Sequence, residues 1–494
     1  MVLPLGLILA TVFRGYILNQ EKFKEFESIV SPKSIVVVGA SSNEVKAGTI
    51  YVRALISGGY KGKLYPVTSS GGQVLGLTAY SKVSDIPGDV EFVIVSVPAQ
   101  AVPEVLDDCA VKGVKIVQLF TAGFLELGDE GGRMLEQQVV AKARQGGFRV
   151  IGPNCLGISH PAIGTPLGPS LQIAEPGTVG IISQSGGHAT KLITQGLVRG
   201  IGFSKAISLG NACDLDIADF LEYLAADPET RVIGAYIEGI KDGQRWLKVA
   251  TETSRIKPLV IWKGGSTAGG AKAAGSHTGA LASADAIWTA AIKQARAVRV
   301  SNGDEWADVL LGFRHLPHYS GGGVAIVAGL TDGGGGDSVL AADSFLGAGL
   351  PVPDFGKETL AGLGKLLPRA GSIFSNPLDV SQAGGRIEIH HTAFRLALAD
   401  PGIELILIVA YVDEIFHALP AGSLETMIEL WTRLKVEQHK PVVMVLPPGL
   451  AEPERLKTQL ELSRAGIPVF PSLPRAAQAL AKMAGYYKQR TPLS

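Results

Sequence analysis

Short apolar runs recur along this chain, and longer stretches with helical spacing separate most of them. The first group is Ser34–Val38, Lys63–Val67, 92–97, 115–120 and Arg149–Ile151. The second is 177–182, 204–208, 231–237 and 258–262. The third follows Ser320, Gly321, Gly322 and Gly323: Val324–Ala328, 405–410, 441–446 and 468–470. Runs that are apolar without alternation belong to strands covered on both faces, which means parallel sheets with helices on both sides. The pattern predicts an α/β chain with three doubly wound sheets. It divides into an extension over 1–26 and domains over 27–160, 161–314 and 318–494. The second and third domains read as two versions of one architecture, with no short-period repeat.

Composition narrows this picture. The chain has 494 residues, 46% hydrophobic and 18% charged, enough for two to four packed domains. Lys plus Arg and Asp plus Glu are 45 each. No basic surplus points to nucleic acid or to an anionic membrane, and neither is expected as a partner. Cys109, Cys155 and Cys213 are odd in number and widely spaced. They fit neither a disulfide framework nor a zinc site, so a reducing cytoplasm is expected. Residues 2–13 are apolar but too short to span a bilayer, and no basic segment precedes them. They read as an N-terminal extension or a packed helix. No cluster has metal-ligand spacing, and His390 with His391 reads as a surface pair.

Residues 264–279 (GGSTAGGAKAAGSHTG) are nearly all small, with six glycines around one imidazole, His277. Such a stretch makes a poor helix and a poor strand. It reads either as a moving loop that carries a covalently modified histidine, or as a surface loop with an incidental one. The second and third domains each open with strand, glycine-rich turn and helix. The turns are Ser183, Gln184, Ser185, Gly186 and Gly187, and residues 329–336 with Gly334 and Gly335. A turn of this kind aims free N–H groups and a helix dipole at one point, which is a phosphate site. The plain alternative for either one is an ordinary strand–helix turn. Glu238 stands just past the run 231–237, where the ligand crevice of an open α/β sheet lies. A carboxylate there can take a hydrogen bond from one imidazole nitrogen and leave the other free to attack phosphorus.

The first domain has its own turn, Gly39, Ala40, Ser41 and Ser42. It lacks the full GxGxxG pattern, and no acid follows the second strand to hold a ribose. A nicotinamide cofactor is therefore the weaker reading, and a different nucleotide the stronger.

The ordered motifs resemble one family. They are VVVGASS at 36–42, SVP at 96–98, TAGF at 121–124 with Glu126, GPNCLG at 152–157 and GIISQSGG at 180–187. They continue as SLGNACDLD at 208–216, YIEG at 236–239, GSHTGALA at 275–282, NPLD at 376–379 and GIPV at 466–469. The chain is similar in these to the acetate–CoA ligase (ADP-forming) group, the NDP-forming acyl-CoA synthetase α subunits of the succinyl-CoA synthetase superfamily. The resemblance implies a CoA-binding Rossmann domain followed by two flavodoxin-like ligase domains. It implies His277 as the phosphohistidine and Glu238 as its orienting carboxylate. Ser183, Gln184, Ser185, Gly186 and Gly187 would cradle the phosphate, and the turn with Gly334 and Gly335 would supply the facing helix. CoA would lie along Gly39, Ala40, Ser41, Ser42, Val97, Pro98, Thr121, Ala122 and Gly123.

The implied reaction is acyl-CoA with NDP and phosphate giving a carboxylic acid, CoA and NTP, reversibly, through phosphohistidine and an acyl phosphate. No GxxxxGK[ST] sequence or ATP-grasp segment is present, so a β subunit carrying ATP-grasp, the NTP and Mg²⁺ is expected, in an α2β2 assembly. Two other readings keep the fold: a CoA-binding acyl-CoA transferase or hydrolase, and a non-catalytic CoA-binding regulatory protein.

Overall fold

A computed structural model describes residues 20–169, 174–270, 272, 285–331, 334–368 and 373–490. The chain forms two compact units, residues 1–194 with 202–303 and residues 195–201 with 304–494.

The first unit holds a small antiparallel pair, β3 (Gly72–Val74) with β4 (Leu77–Ala79), and two large sheets. One is built from β1 (Ser34–Val38), β2 (Lys63–Val67), β5 (Phe92–Val95), β6 (Ile116–Leu119) and β7 (Arg149–Ile151) in the order β2-β1-β5-β6-β7, all parallel. Every residue of β1, β5 and β6 is buried, including the polar Ser34 and Gln118 among otherwise apolar positions. The intervening helices are α2 (Ala47–Ser57), α3 (Val102–Lys112) and α4 (Glu130–Gly146). Asp129 starts α4 by accepting from the Gly132 N–H, and Gly147 in the left-handed region ends it.

The second sheet has the order β13-β12-β11-β9-β10-β8. Its core strands are β9 (Pro176–Ser183), β10 (Phe203–Ser208), β11 (Val232–Ile237) and β12 (Leu259–Lys263), all parallel. The apolar runs at 177–182, 204–208, 231–237 and 258–262 match them. Two edge strands were not expected. The short β8 (Gly157–Ser159) pairs antiparallel with β10, and β13 (Val298–Val300) pairs with β12. Three residues are too few to show a period. A first helix, α1 (Gln20–Val30), runs through position 26 and buries Phe26. Its ring meets Phe220 and Tyr223 at 5.4 and 5.9 Å. One apolar cluster runs from Phe26 and Val37 through Ile207 and Phe220 to Trp288, so the two sheets share a core.

The second unit has one parallel sheet, β15-β14-β16-β17-β18. It contains β14 (Val324–Ala328), β15 (Leu378–Asp379), β16 (Leu405–Val409), β17 (Val442–Val445) and β18 (Val469–Phe470). Here too the apolar runs coincide with strands. In each of these three large sheets the first parallel strand has its successors on both sides, so each has a switch point where the connections part. It falls between β1 and β5, between β9 and β11, and between β14 and β16. Among the described residues no helix is long and apolar enough to cross a membrane.

Candidate functional site

The switch point of the second sheet gathers the strongest chemistry. β9 ends at Ser183 and α5 (Gly186–Arg199) starts three residues later, with no acid in its first turn. The first N–H groups of a helix have no acceptor inside it, so Gly186 and Gly187 present a positive end. Ser183 Oγ shapes the turn: it donates to Ser185 O at 2.6 Å and accepts from Ser185 N at 3.2 Å. Gln184 points the other way. Its N–H donates to Tyr236 O at 3.2 Å, and its side chain binds the main chain at Glu238 and Gly239. Sequence reasoning placed Gln184 among the phosphate contacts, whereas here its carboxamide is engaged inside the protein.

Glu238 is 7% exposed and follows β11 directly. The Tyr236 hydroxyl hydrogen-bonds its carboxylate, and burial, followed by that carboxylate, pushes the phenol far up. Gly264 is obligatory at the end of β12, since a Cβ there would stand 2.3 Å from the Tyr236 hydroxyl. Lys263, buried one residue earlier, donates to Gly264 O, and its ammonium lies 5.3 Å from the Trp288 ring centroid. Burial lowers its pKa, while the nearby Glu238 charge opposes the shift. His277 and its neighbours from 273 to 284 lie outside the described residues.

Sequence reasoning missed an aromatic cluster in the same place. His188, in the first turn of α5, meets Tyr236 at 4.6 Å and Trp262 at 4.5 Å, and those two rings meet at 4.7 Å. Tyr236 is the register partner of both Trp262 and Ser183, so one row across the sheet carries these rings to the glycine turn. The signal was there: both aromatics sit next to the last position of their strands.

At the switch point of the first sheet, Gly39 has φ +95°, and a Cβ would meet Ser96 O at 2.3 Å. Gly48 lets α2 close on this turn, since its Cβ would be 2.5 Å from Gly39 O. Thr49 Oγ1 accepts from Ser41 N and donates to Ser41 O, at 3.0 and 2.9 Å. Thr121 Oγ1 donates to Val97 O at 2.7 Å, joining the loops after β5 and β6. Gly123 packs against Ala99, where a Cβ would come within 3.0 Å. Gly39, Ala40, Ser41, Ser42, Val97, Pro98, Thr121, Ala122 and Gly123 therefore form one rim at the carboxyl ends of β1, β5 and β6. Glu126 holds this rim to the second sheet. It accepts from Gly123 N at 2.6 Å and from Asn211 Nδ2 at 2.6 Å, and Asn211 also donates to the buried Glu136 at 2.8 Å.

The third switch point differs in charge. Gly334 caps α10 (Gly335–Gly347), close against Gly329, whose N would lie 2.6 Å from an added Cβ. The first turn of α10 contains Asp337, which accepts from the Tyr411 hydroxyl at 3.0 Å. Thr331 donates to Glu414 beside it. The turn that holds Gly334 and Gly335 is thus flanked by carboxylates.

Two further groups bear on the chemistry. Burial pushes the Cys155 thiol up to about 12, and burial pushes Cys109 and Cys213 up as well, so none is a ready thiolate at neutral pH. The expected surface pair is corrected: His390 and His391 are 2% and 5% exposed on α12 (Ile387–Ala399). Ala393, Phe394, Ala397 and Leu398 repeat at helical spacing from them, and that stripe faces the core.

Comparison with known proteins bears on the same regions. Residues 33–161 match the family described as a CoA binding domain, and residues 176–313 the succinyl-CoA ligase like flavodoxin domain. The chain is 36% identical to the acetate–CoA ligase [ADP-forming] I subunit alpha of Pyrococcus furiosus, over 92% of this chain and 96% of that protein. It is 35% identical to the 4-hydroxybutyrate–CoA ligase [ADP-forming] of Nitrosopumilus maritimus, over 71% of this chain and 50% of that one. A solved acetyl-coenzyme A synthetase 1 from Ca. Korarchaeum cryptofilum, in complex with phosphate and ADP, superposes with a TM-score of 0.83 at 30% identity. That match covers 94% of this chain and 97% of the other.

Proposed function

This chain belongs to the ADP-forming acetate–CoA ligase family, as an α subunit, and we propose that it makes and breaks acyl-CoA through a phosphate carried on His277. It is an acid–thiol ligase with a CoA-binding domain and a ligase domain of the succinyl-CoA type. The NTP γ-phosphorus accepts the lone pair of neutral His277, an N–P bond forms, and NDP leaves. A carboxylate oxygen of the acid then attacks that phosphorus, the N–P bond breaks, and an acyl phosphate results. The CoA sulfur attacks the acyl carbon, phosphate leaves, and the thiol proton passes to solvent. Each step runs backwards equally well.

The geometry supports a role for each residue in this reading. Glu238 accepts from one imidazole nitrogen and keeps the other as the attacking one. Gly186 and Gly187, at the start of α5, offer N–H groups to the phosphoryl oxygens, with Ser183 and Ser185 fixing the turn. The rim from Gly39 to Ser42, with Val97, Pro98 and residues 121–123, receives CoA. Gly334 and Gly335 form the second, more weakly anion-selective cradle. The thiols are unsuited to carry the acyl group, which favours histidine chemistry over a cysteine-linked transferase. The nucleotide and Mg²⁺ belong on an ATP-grasp β subunit in an α2β2 assembly. The three cysteines are unpaired, in keeping with a cytoplasmic setting.

The observation that carries this reading is the placement of Glu238 beside the Ser183–Gly187 turn, at the switch point of a sheet in the same unit as the CoA rim. The test joins the full chain to an ATP-grasp partner and supplies acetyl-CoA, ADP and ³²P-phosphate. ATP should form, with acid-labile label on His277. His277→Ala should lose both. If His277→Ala keeps ATP formation, the phosphohistidine route is wrong.

A further inference from the structure

We infer that Gln184 is a positioning residue that sets Glu238 and the anion turn in one fixed geometry. The inference rests on the reading above, in which Glu238 orients the reacting imidazole. β11 ends at Ile237, and Glu238 and Gly239 follow it directly. The Gln184 side chain binds the main chain of both. Its Oε1 accepts from Glu238 N at 2.6 Å and from Gly239 N at 3.0 Å, and its Nε2 donates to Gly239 O at 2.9 Å. Gln184 is 8% exposed, so these bonds form away from water. The same residue is the link between Ser183 and Ser185, which shape the anion turn. One planar group therefore ties the loop that starts the helix to the main chain that carries the carboxylate.

The residue type is what this task requires. A carboxamide has an acceptor with two lone pairs and a donor in one neutral plane. Asparagine is one methylene too short. An ionised glutamate lacks the donor and brings a negative charge to an anion site. Lysine and arginine have no acceptor. A shift of the turn would move Glu238 with it, and the Tyr236 hydroxyl hydrogen-bonds the same residue's carboxylate. An imidazole oriented by Glu238 would then face the turn at a set separation, and a misplacement of about 1 Å costs about 100-fold in rate.

The test uses the full chain and ³²P-acetyl phosphate, which probes the half-reaction between acyl phosphate and His277 without nucleotide. Gln184→Met should slow labelling about 100-fold, with CoA affinity by calorimetry within about 2-fold of the wild type. Gln184→Glu should show a distinct pH signature. A protonated carboxyl restores one donor and one acceptor, so its rate relative to wild type should climb as pH is lowered. If Gln184→Met labels at the wild-type rate while His277→Ala does not label, the positioning role falls and the phosphohistidine reading stands. If wild type and His277→Ala behave alike, that reading falls and takes this one with it. If Gln184→Met does not fold, as lost CoA binding would show, Gln184→Glu decides: a ratio independent of pH overturns the inference.

Discussion

The two glycine-rich turns make a controlled comparison. Each follows the first parallel strand of its sheet, each sits at a switch point, and each starts a helix of about four turns. Their surroundings differ first in charge and in bracing. The turn at Ser183–Gly187 has no acid in the first turn of α5 and is braced by a neutral carboxamide. The turn that ends in Gly334 has Asp337 in the first turn of α10, with Glu414 bound to Thr331 alongside. A carboxylate in the first turn already answers the helix dipole, so it competes with any incoming anion. Glycine content therefore marks where the main chain can approach a phosphate. The nearest side-chain charges decide whether a phosphate is welcome.

The largest effect should come from making the first turn resemble the second. Gly187 is exposed, and a Cβ there would find nothing nearer than Ser185 Oγ at 3.9 Å, so Gly187→Asp fits without strain. A unit charge about 4 Å from the phosphate costs on the order of 4 kcal/mol near a protein surface. Labelling of His277 by ³²P-acetyl phosphate should fall by about 100- to 1000-fold. The acid should meanwhile stabilise α5 by about 0.3–1 kcal/mol, seen as a slightly higher melting temperature. Labelling at the wild-type rate would break the comparison at its root.

Most of the architecture that positions these turns was legible. The mainly apolar runs located the core strands of the three large sheets, because a strand buried on both faces shows no regular polar alternation, even where it buries Gln118 or Lys205. The turns and Glu238 followed from where those runs stop. What could not be read was tertiary. Gln184 looked like a phosphate contact because its partner lies 54 residues away. The row of Ser183, Tyr236 and Trp262 exists only once β11 pairs with β9 and β12 in a particular register. The strand β8 is three residues long, and nothing local marks it as an antiparallel edge. His390 and His391 are a different case. Their helical stripe was visible, and their polarity outweighed it in the reading.

Acid should act on the 304–494 unit through its buried histidines. Burial, reinforced by Arg386, pulls His390 down to about 4. An unfolded histidine titrates near ~6.5. Above that value both states are neutral and nothing is lost. Between ~6.5 and about 4 the unfolded chain binds a proton that the folded chain refuses, so stability falls by about 3 kcal/mol and then levels off. His315, in the same unit and pulled down to about 3 by burial, should prolong the decline. Denaturant melts across that window should show the 304–494 unit losing stability, and His390→Leu should flatten the slope. An unchanged slope in His390→Leu would remove the buried histidine as its source.

The smallest effect is the most discriminating. Asp337→Asn removes the carboxylate from the first turn of α10 while keeping an acceptor for the Tyr411 hydroxyl. Losing a charge at a helix N-terminus should cost about 0.3–1 kcal/mol of stability. If charge alone separates the two turns, the same change should help an anion bind there. With the first turn silenced by Gly187→Asp, inorganic phosphate should bind Asp337→Asn about 3- to 10-fold more tightly than its Asp337 parent, as followed by ³¹P resonance titration. Glu414 remains nearby, which keeps the expected gain modest. If affinity does not move, the second turn lacks the N–H geometry of the first, and shape rather than charge separates them. The packing of Gly334 against Gly329 would then be the place to look, because it fixes how far the start of α10 can open.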